Sequence, residues 1–132
     1  MIRPLAAASF CGLLLAACSQ GGSAGADSKD PYAGLDKQIV AWHTDLEATH
    51  PACRTKVDGH GCEGFEVRCK AMQEITPDEA AKGITAQVVA AMTFSGRSGG
   101  KAGSAFALFS KAGGQWTRAE AMPVKLDTCA PL

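Results

Sequence analysis

The sequence predicts an α+β domain in which one long N-terminal helix packs on a mostly antiparallel sheet of about four strands. An apolar stripe with helical spacing comes first, segments with strand-like composition follow it, and glycine-rich turns separate those segments. Four cysteines in the same region should staple the fold, because aromatic residues make up only 6% of the chain and can build little core.

The helix is predicted to begin at Pro31 and to end near Thr49. Asp30 and Pro31 match an N-cap residue followed by proline at the first helical position. Pro51 disfavours helical conformation in the residue before it. Between these limits the apolar residues recur at spacings of 3, 4, 3 and 4, which places them on one face. This stripe consists of Tyr32, Leu35, Ile39, Trp42 and Leu46.

Four later segments are predicted to be strands. In the first, apolar and charged residues alternate, which predicts one buried face that carries Cys69. A capping box at Thr76 predicts a short helix after it, and glycine-rich turns at 96–103 and 113–114 separate the last three strands. The predicted strands are Phe65–Met72, Ile84–Ser95, Ala105–Ser110 and Trp116–Met122.

The cysteines predict two disulfides in the mature domain. Of six in the chain, Cys11 lies in the leader described below and Cys18 directly follows it as the expected modification site, which leaves Cys53, Cys62, Cys69 and Cys129. A strand would hold Cys62 and Cys69 about 23 Å apart, whereas a disulfide needs Cα atoms within about 7 Å. Two pairings stay open, Cys53–Cys62 with Cys69–Cys129 or Cys53–Cys69 with Cys62–Cys129. The first is preferred, because Cys53–Cys62 closes a short glycine-rich loop.

The N-terminus carries a basic residue, an apolar run and a cysteine preceded by small residues. Arg3 precedes the apolar run, which is too short for a membrane span of about 20 residues. The run ends in the tetrapeptide 15–18, Leu-Ala-Ala-Cys, which resembles the lipobox of bacterial lipoprotein signal peptides. The resemblance implies that residues 1–17 are removed and that Cys18 carries acyl chains, palmitate among them, which anchor the protein in a membrane.

The chain is therefore expected to have three parts. Residues 1–17 form the signal peptide, residues 18–30 a lipidated, flexible Gly/Ser tether, and residues 31–132 a single small domain. By resemblance to Gram-negative sorting signals, Ser19 after the lipid site implies the outer membrane. The domain would then face the periplasm, an oxidising compartment in which disulfides persist.

Composition and motifs predict a non-enzymatic module without a cofactor. The 13 basic and 13 acidic residues balance, which argues against nucleic acid as a partner. His43 and His50 share a helix flank with Asp36 and Glu47, but any solvated helix face offers such pairs, and no Gly-x-Ser-x-Gly motif is present. The expected partners are the membrane, through Cys18, and another envelope protein.

Two alternative functions stay open. One is an inhibitor of a hydrolase such as lysozyme, because lipoprotein lysozyme inhibitors are similar in anchor, size and disulfides. Those inhibitors carry a Ser-Gly-x-x-Tyr loop. The matching segment here begins at Ser95 and Gly96 but lacks the tyrosine. The other is a metal-binding periplasmic protein whose ligands come from one loop: His50, Cys53, His60 and Cys62.

Trp116 is the candidate partner-binding residue. It follows the predicted turn at 113–114, and a large aromatic side chain beside a turn can dominate an interface. The alternative is that Trp116 closes the core, as is predicted for Trp42 on the helix stripe. In that case its truncation would lower stability rather than binding.

Overall fold

One helix precedes an antiparallel β-meander. A computed structural model describes residues 30–132, in which Tyr32–Leu132 form one compact unit. The four strands make one antiparallel sheet in the order β1-β2-β3-β4, which confirms the predicted α+β class and four-stranded sheet. The elements are α1 (Leu35–Thr49), a 3₁₀ turn (Pro51–Cys53), β1 (Cys62–Met72), α2 (Pro77–Ala81), β2 (Ile84–Gly96), β3 (Ala102–Ala112) and β4 (Gln115–Glu120).

Helix α1 begins later than the sequence predicts. Asp30 and Pro31 do not start it, because Gly34 is the N-cap residue and has φ 83°, a left-handed conformation that a right-handed helix cannot continue through. The Trp116 indole N–H donates to the Ala33 carbonyl at 2.8 Å and fixes this turn. The helix therefore has 15 residues, and the prediction of a long helix from residue 31 was wrong.

The apolar stripe of α1 packs on the sheet as predicted. Leu35 is fully buried, and Trp42 meets Phe109 of β3 edge to face with ring centroids 5.7 Å apart. Three alanines on this side of the sheet, Ala86, Ala90 and Ala107, leave room for the helix and for the larger side chains around them. The buried sheet residues in this core are Ala86, Val88, Ala90, Met92, Phe94, Ala107, Phe109 and Trp116.

A β-bulge sends part of β1 to the other face of the sheet. The alternating pattern predicts Phe65, Val67 and Cys69 on one face, but the register shifts after Val67: Val67 pairs with Met92 and Cys69 with Ala91. Met92 and Ala91 are neighbours in β2 and therefore point to opposite faces of the sheet. Their partners in β1 do the same, so Val67 packs on the α1 side and Cys69 on the other side. The prediction of a single buried face was wrong, since one extra residue reverses the alternation.

The C-terminal segment (residues 121–132) packs on the sheet face opposite α1. The Ala121 N–H donates to the Phe106 carbonyl at 3.1 Å, after which the Cys69–Cys129 disulfide and apolar packing hold the segment to the sheet. The buried residues on this face are Val89, Ala91 and Cys129, with Ala71, Phe106, Leu108, Val124 and Leu126 packed around them.

The two disulfides join the preferred pairs and lie on opposite faces of the sheet. Cys53 and Cys62 have Cα atoms 4.9 Å apart and belong to the α1-side core. Cys69 and Cys129 have Cα atoms 5.6 Å apart and belong to the other side. Each face of this small domain therefore carries one covalent staple.

The turns between strands follow the glycines, with one difference. Gly113 and Gly114 have φ 60° and 80°, so β3 and β4 are joined by the two-residue turn typical of a hairpin. The predicted loop 96–103 shrinks to residues 97–101, because both strands extend into it. Gly103 lies in β3, where a Cβ atom would be 2.4 Å from the Phe94 ring.

The short helix α2 carries the predicted capping box. The Thr76 hydroxyl accepts from the Glu79 N–H at 3.2 Å, and the Glu79 carboxylate accepts from the Thr76 N–H at 3.0 Å. Hydrogen bonds from the backbone and the hydroxyl of Thr76 lower the pKa of the Glu79 carboxyl.

Candidate functional site

An apolar cleft lies where the C-terminal segment leaves β4 and folds back on itself. Its volume is about 540 Å³. β2 contributes one lining residue and the C-terminal segment contributes the others, and every lining side chain is apolar. The lining residues are Val89, Ala121, Met122, Pro123, Val124, Pro131 and Leu132. We refer to this feature as the apolar cleft.

Local chain geometry explains why the cleft forms there. Pro123 has no N–H to extend the pairing of β4 along the sheet, so the chain turns away after Ala121. The ends of the segment are then tied together by a bridge between Val124 and Pro131. The Lys125 N–H reinforces this closure by donating to the Ala130 carbonyl at 2.9 Å.

The rim of the cleft exposes apolar side chains. Met122 and Leu132 are each 82% exposed, more than the other large apolar residues that are exposed within residues 30–132. Val40 on α1, at 65%, belongs to no described apolar cluster or cleft, and single exposed apolar residues are ordinary on protein surfaces. Two such residues beside an apolar cleft form a surface whose burial is favourable, by about 1.5–3 kcal/mol for each side chain.

Trp116 is a core residue in this structure. Only 7% of it is exposed, its N–H is satisfied by Ala33, and Lys111 lies over the ring 5.6 Å from the centroid. This is the alternative in which the indole closes the core. The structure therefore favours the core role of Trp116 over the candidate partner-binding role, because the residue offers little surface to a partner.

The disulfide corner, by which we mean Glu47, Cys53 and residues 54–62, is organised by a carboxylate from α1. Glu47 accepts the Gly61 N–H at 2.5 Å and the Cys62 N–H at 3.2 Å. The Lys56 ammonium donates to the Glu47 carbonyl at 2.9 Å. Glu47, assigned to a solvated face by its sequence position, therefore joins the helix to the loop.

The predicted metal ligands are only partly brought together at this corner. Cys53 and Cys62 are bonded to each other, so neither sulfur is a thiolate in the oxidised chain. The Nδ1 atom of His50 accepts the Ala52 N–H at 3.1 Å, and its ring packs on Phe94. The Nδ1 atom of His60 lies 3.9 Å from the Glu47 carboxylate instead.

Two further side chains of α1, His43 and Asp45, contact the sheet. His43 packs against the Phe65 ring with centroids 3.8 Å apart. Asp45 forms an ion pair with Arg118 that joins α1 to β4. These contacts place the helix on the sheet.

The predicted lipid site Cys18, with the signal peptide, lies outside the described residues, so lipidation stays a prediction. Within residues 30–132 no helix combines the length and the apolar character that crossing a membrane requires. Comparison of the chain with protein-family models, with curated protein sequences and with solved structures found no match.

Proposed function

We propose that this protein is a non-enzymatic binding module, lipid-anchored in a bacterial envelope, whose apolar cleft holds a partner protein. The observation that carries the proposal is the exposure of Met122 and Leu132, each 82%, on the rim of a cleft with only apolar lining side chains. The anchor follows from the lipobox that ends at Cys18.

The chemistry of the cleft favours a protein over a small ligand. Small-molecule sites bury most of their ligand and include a few placed polar groups that fix its orientation. Here the lining side chains are all apolar, and two of them stand out into solvent. The centre of a protein interface is depleted in charge and enriched in methionine, with a polar rim. Lys125 and Asp127, both exposed in the same segment, would supply part of such a rim.

Site-specific photocrosslinking in intact cells tests the proposal. A photoreactive amino acid replaces Met122 in the full chain, and the same substitution at Val40 is the matched control on the opposite side of the sheet. We expect one protein adduct from position 122 and none from position 40, with the partner identified by mass. If the partner in this adduct is a hydrolase, the binding module is an inhibitor of that enzyme.

Three results of this experiment would overturn the proposal. They are an adduct from position 40 and not from 122, adducts with lipid alone, and no protein adduct from either position. The second result would mean that Met122 and Leu132 insert into a membrane.

The anchor has its own prediction. Replacing Cys18 with alanine removes the sulfur that accepts the lipid, so we expect an unacylated precursor or a soluble form instead of a membrane-bound lipoprotein. Detergent phase partitioning and mass measurement of the intact chain report the outcome. An acylated Cys18→Ala protein that still partitions with membranes would show that the anchor lies elsewhere.

A further inference from the structure

The disulfide corner places three metal-ligating groups close together. The sulfurs of Cys53 and Cys62 and a carboxylate oxygen of Glu47 all lie within 4.8 Å of one another. Two thiolates and a carboxylate are a ligand set that zinc accepts in tetrahedral sites. The oxidised corner cannot use this set, because both sulfurs are committed to the disulfide.

Hydrogen bonds position both cysteine backbones independently of the disulfide. The Cys53 N–H donates to the His50 carbonyl at 2.9 Å, in the turn that follows α1. A Cβ atom at Gly61 would lie 1.9 Å from the Cys53 carbonyl oxygen, so the loop passes directly against that residue. The Arg97 N–H donates to the Gly61 carbonyl at 2.8 Å, and Glu47 holds the Gly61 and Cys62 N–H groups. The ligands should therefore stay near one another after the S–S bond is opened.

We propose that reduction of the Cys53–Cys62 disulfide converts this corner into a site for zinc or a chemically similar divalent cation. Cys53, Cys62 and Glu47 supply three ligands. A phosphine or dithiol reductant provides two electrons, the S–S bond breaks and each sulfur takes up a proton. A phosphine becomes its oxide with oxygen from water, and a dithiol becomes a disulfide. Both thiol protons pass to solvent when the thiolates bind the cation.

His60 is the candidate for the fourth ligand, and His50 is not. The His60 Nδ1 atom lies 3.9 Å from the Glu47 carboxylate, and its side chain is exposed and free to turn toward a cation held there. The Nδ1 atom of His50 is engaged by the Ala52 N–H, and its ring packs edge-on against Phe94. The site thus shares three residues with the ligand loop expected from the sequence and replaces His50 with Glu47. It is independent of the proposed partner-binding function.

Titration with Co²⁺ tests the proposal, because thiolate coordination gives a charge-transfer absorption that carboxylate or imidazole coordination does not. The full chain is used with Cys11 and Cys18 replaced by serine, under a phosphine reductant. We compare two double variants in this background, Cys69→Ser/Cys129→Ser and Cys53→Ser/Cys62→Ser. The absorption should appear in the first, disappear when that protein is reoxidised, and be absent from the second.

Glu47→Gln separates the proposed site from a simple pair of thiols. Mutating a residue that only hydrogen-bonds to a metal ligand typically weakens metal binding by about tenfold or more. Losing Glu47, a direct ligand, should therefore raise the dissociation constant for Co²⁺ by at least about tenfold. Glu63→Gln, next to Cys62 and paired with Arg97, is the matched control and should leave the constant unchanged. Equal affinities for the two variants would overturn the proposal. The absence of the absorption from the reduced Cys69→Ser/Cys129→Ser protein would also overturn the proposal, whether circular dichroism shows that protein to be folded or unfolded.

Discussion

Replacing Trp116 with alanine should lower the free energy of unfolding by about 3–5 kcal/mol, the usual cost of truncating a large buried aromatic residue. The indole is 7% exposed and lies in the core under α1, and its N–H bond to Ala33 holds the turn before the helix. Truncation would leave a cavity and release that turn together. Equilibrium denaturation in urea measures the loss.

The neighbouring Thr117 provides the control for this variant. It is exposed on β4 and its hydroxyl donates only a long hydrogen bond, 3.4 Å, to the Ser110 carbonyl, so Thr117→Ala should lower stability by no more than about 1 kcal/mol. If Trp116→Ala were as stable as Thr117→Ala, the indole would not be part of the core. A binding role for Trp116 would then regain its basis.

Removing the Cys69–Cys129 disulfide should be the second large perturbation. The cysteines are 60 residues apart, and the chain-entropy model gives about 4 kcal/mol for a loop of that length. Cys53 and Cys62 are 9 residues apart, for which the same model gives about 2.5 kcal/mol. We therefore expect Cys69→Ser/Cys129→Ser to lower the free energy of unfolding more than Cys53→Ser/Cys62→Ser does.

The same variant should loosen the C-terminal segment from the sheet. Val89 and Ala91 would then gain solvent exposure, so binding of an apolar dye should rise in Cys69→Ser/Cys129→Ser and not in Cys53→Ser/Cys62→Ser. Two results would contradict this role of the Cys69–Cys129 disulfide. One is that Cys53→Ser/Cys62→Ser is the less stable of the two variants, and the other is equal dye binding in both.

Local signals predicted much of this fold. The spacing of the α1 stripe, the capping box at Thr76 and the glycine pair at 113–114 each specify their element through neighbouring residues, and each forms as predicted. The preferred disulfide pairing also holds. A strand between Cys62 and Cys69 excludes that pair, and the short glycine-rich loop favoured Cys53–Cys62 over the other pairing that stayed open. Each of these signals depends only on residues that lie close together in the sequence.

Contacts between distant residues account for what the sequence did not predict. The start of α1 is set by the left-handed conformation of Gly34, and a hydrogen bond between Ala33 and Trp116, which are 83 positions apart, fixes that turn. Pro31 is compatible with an earlier start, and a single glycine is tolerated inside a helix, so local propensity did not reveal the later one. The bulge after Val67 is likewise invisible in a pattern that alternates without interruption.

The candidate site was missed for a similar reason. The apolar cleft exists because the C-terminal segment folds back to a bridge between Val124 and Pro131 and is fastened through Cys129. In the sequence these residues are a short tail without periodicity. Met122 was assigned to the last strand, but β4 ends at Glu120 and leaves Met122 exposed.

The affinity of the crosslinked partner for two matched variants tests the central claim most directly. Met122→Asp places a charge on the rim of the apolar cleft, and Val40→Asp places the same charge on an exposed apolar position of α1. Both should keep the stability of the natural chain to within about 0.5 kcal/mol, because both side chains are exposed. We predict that Met122→Asp raises the dissociation constant at least about tenfold, or 1.4 kcal/mol, and that Val40→Asp leaves it unchanged. Equal affinities for the two variants would contradict the assignment of the apolar cleft as the binding site.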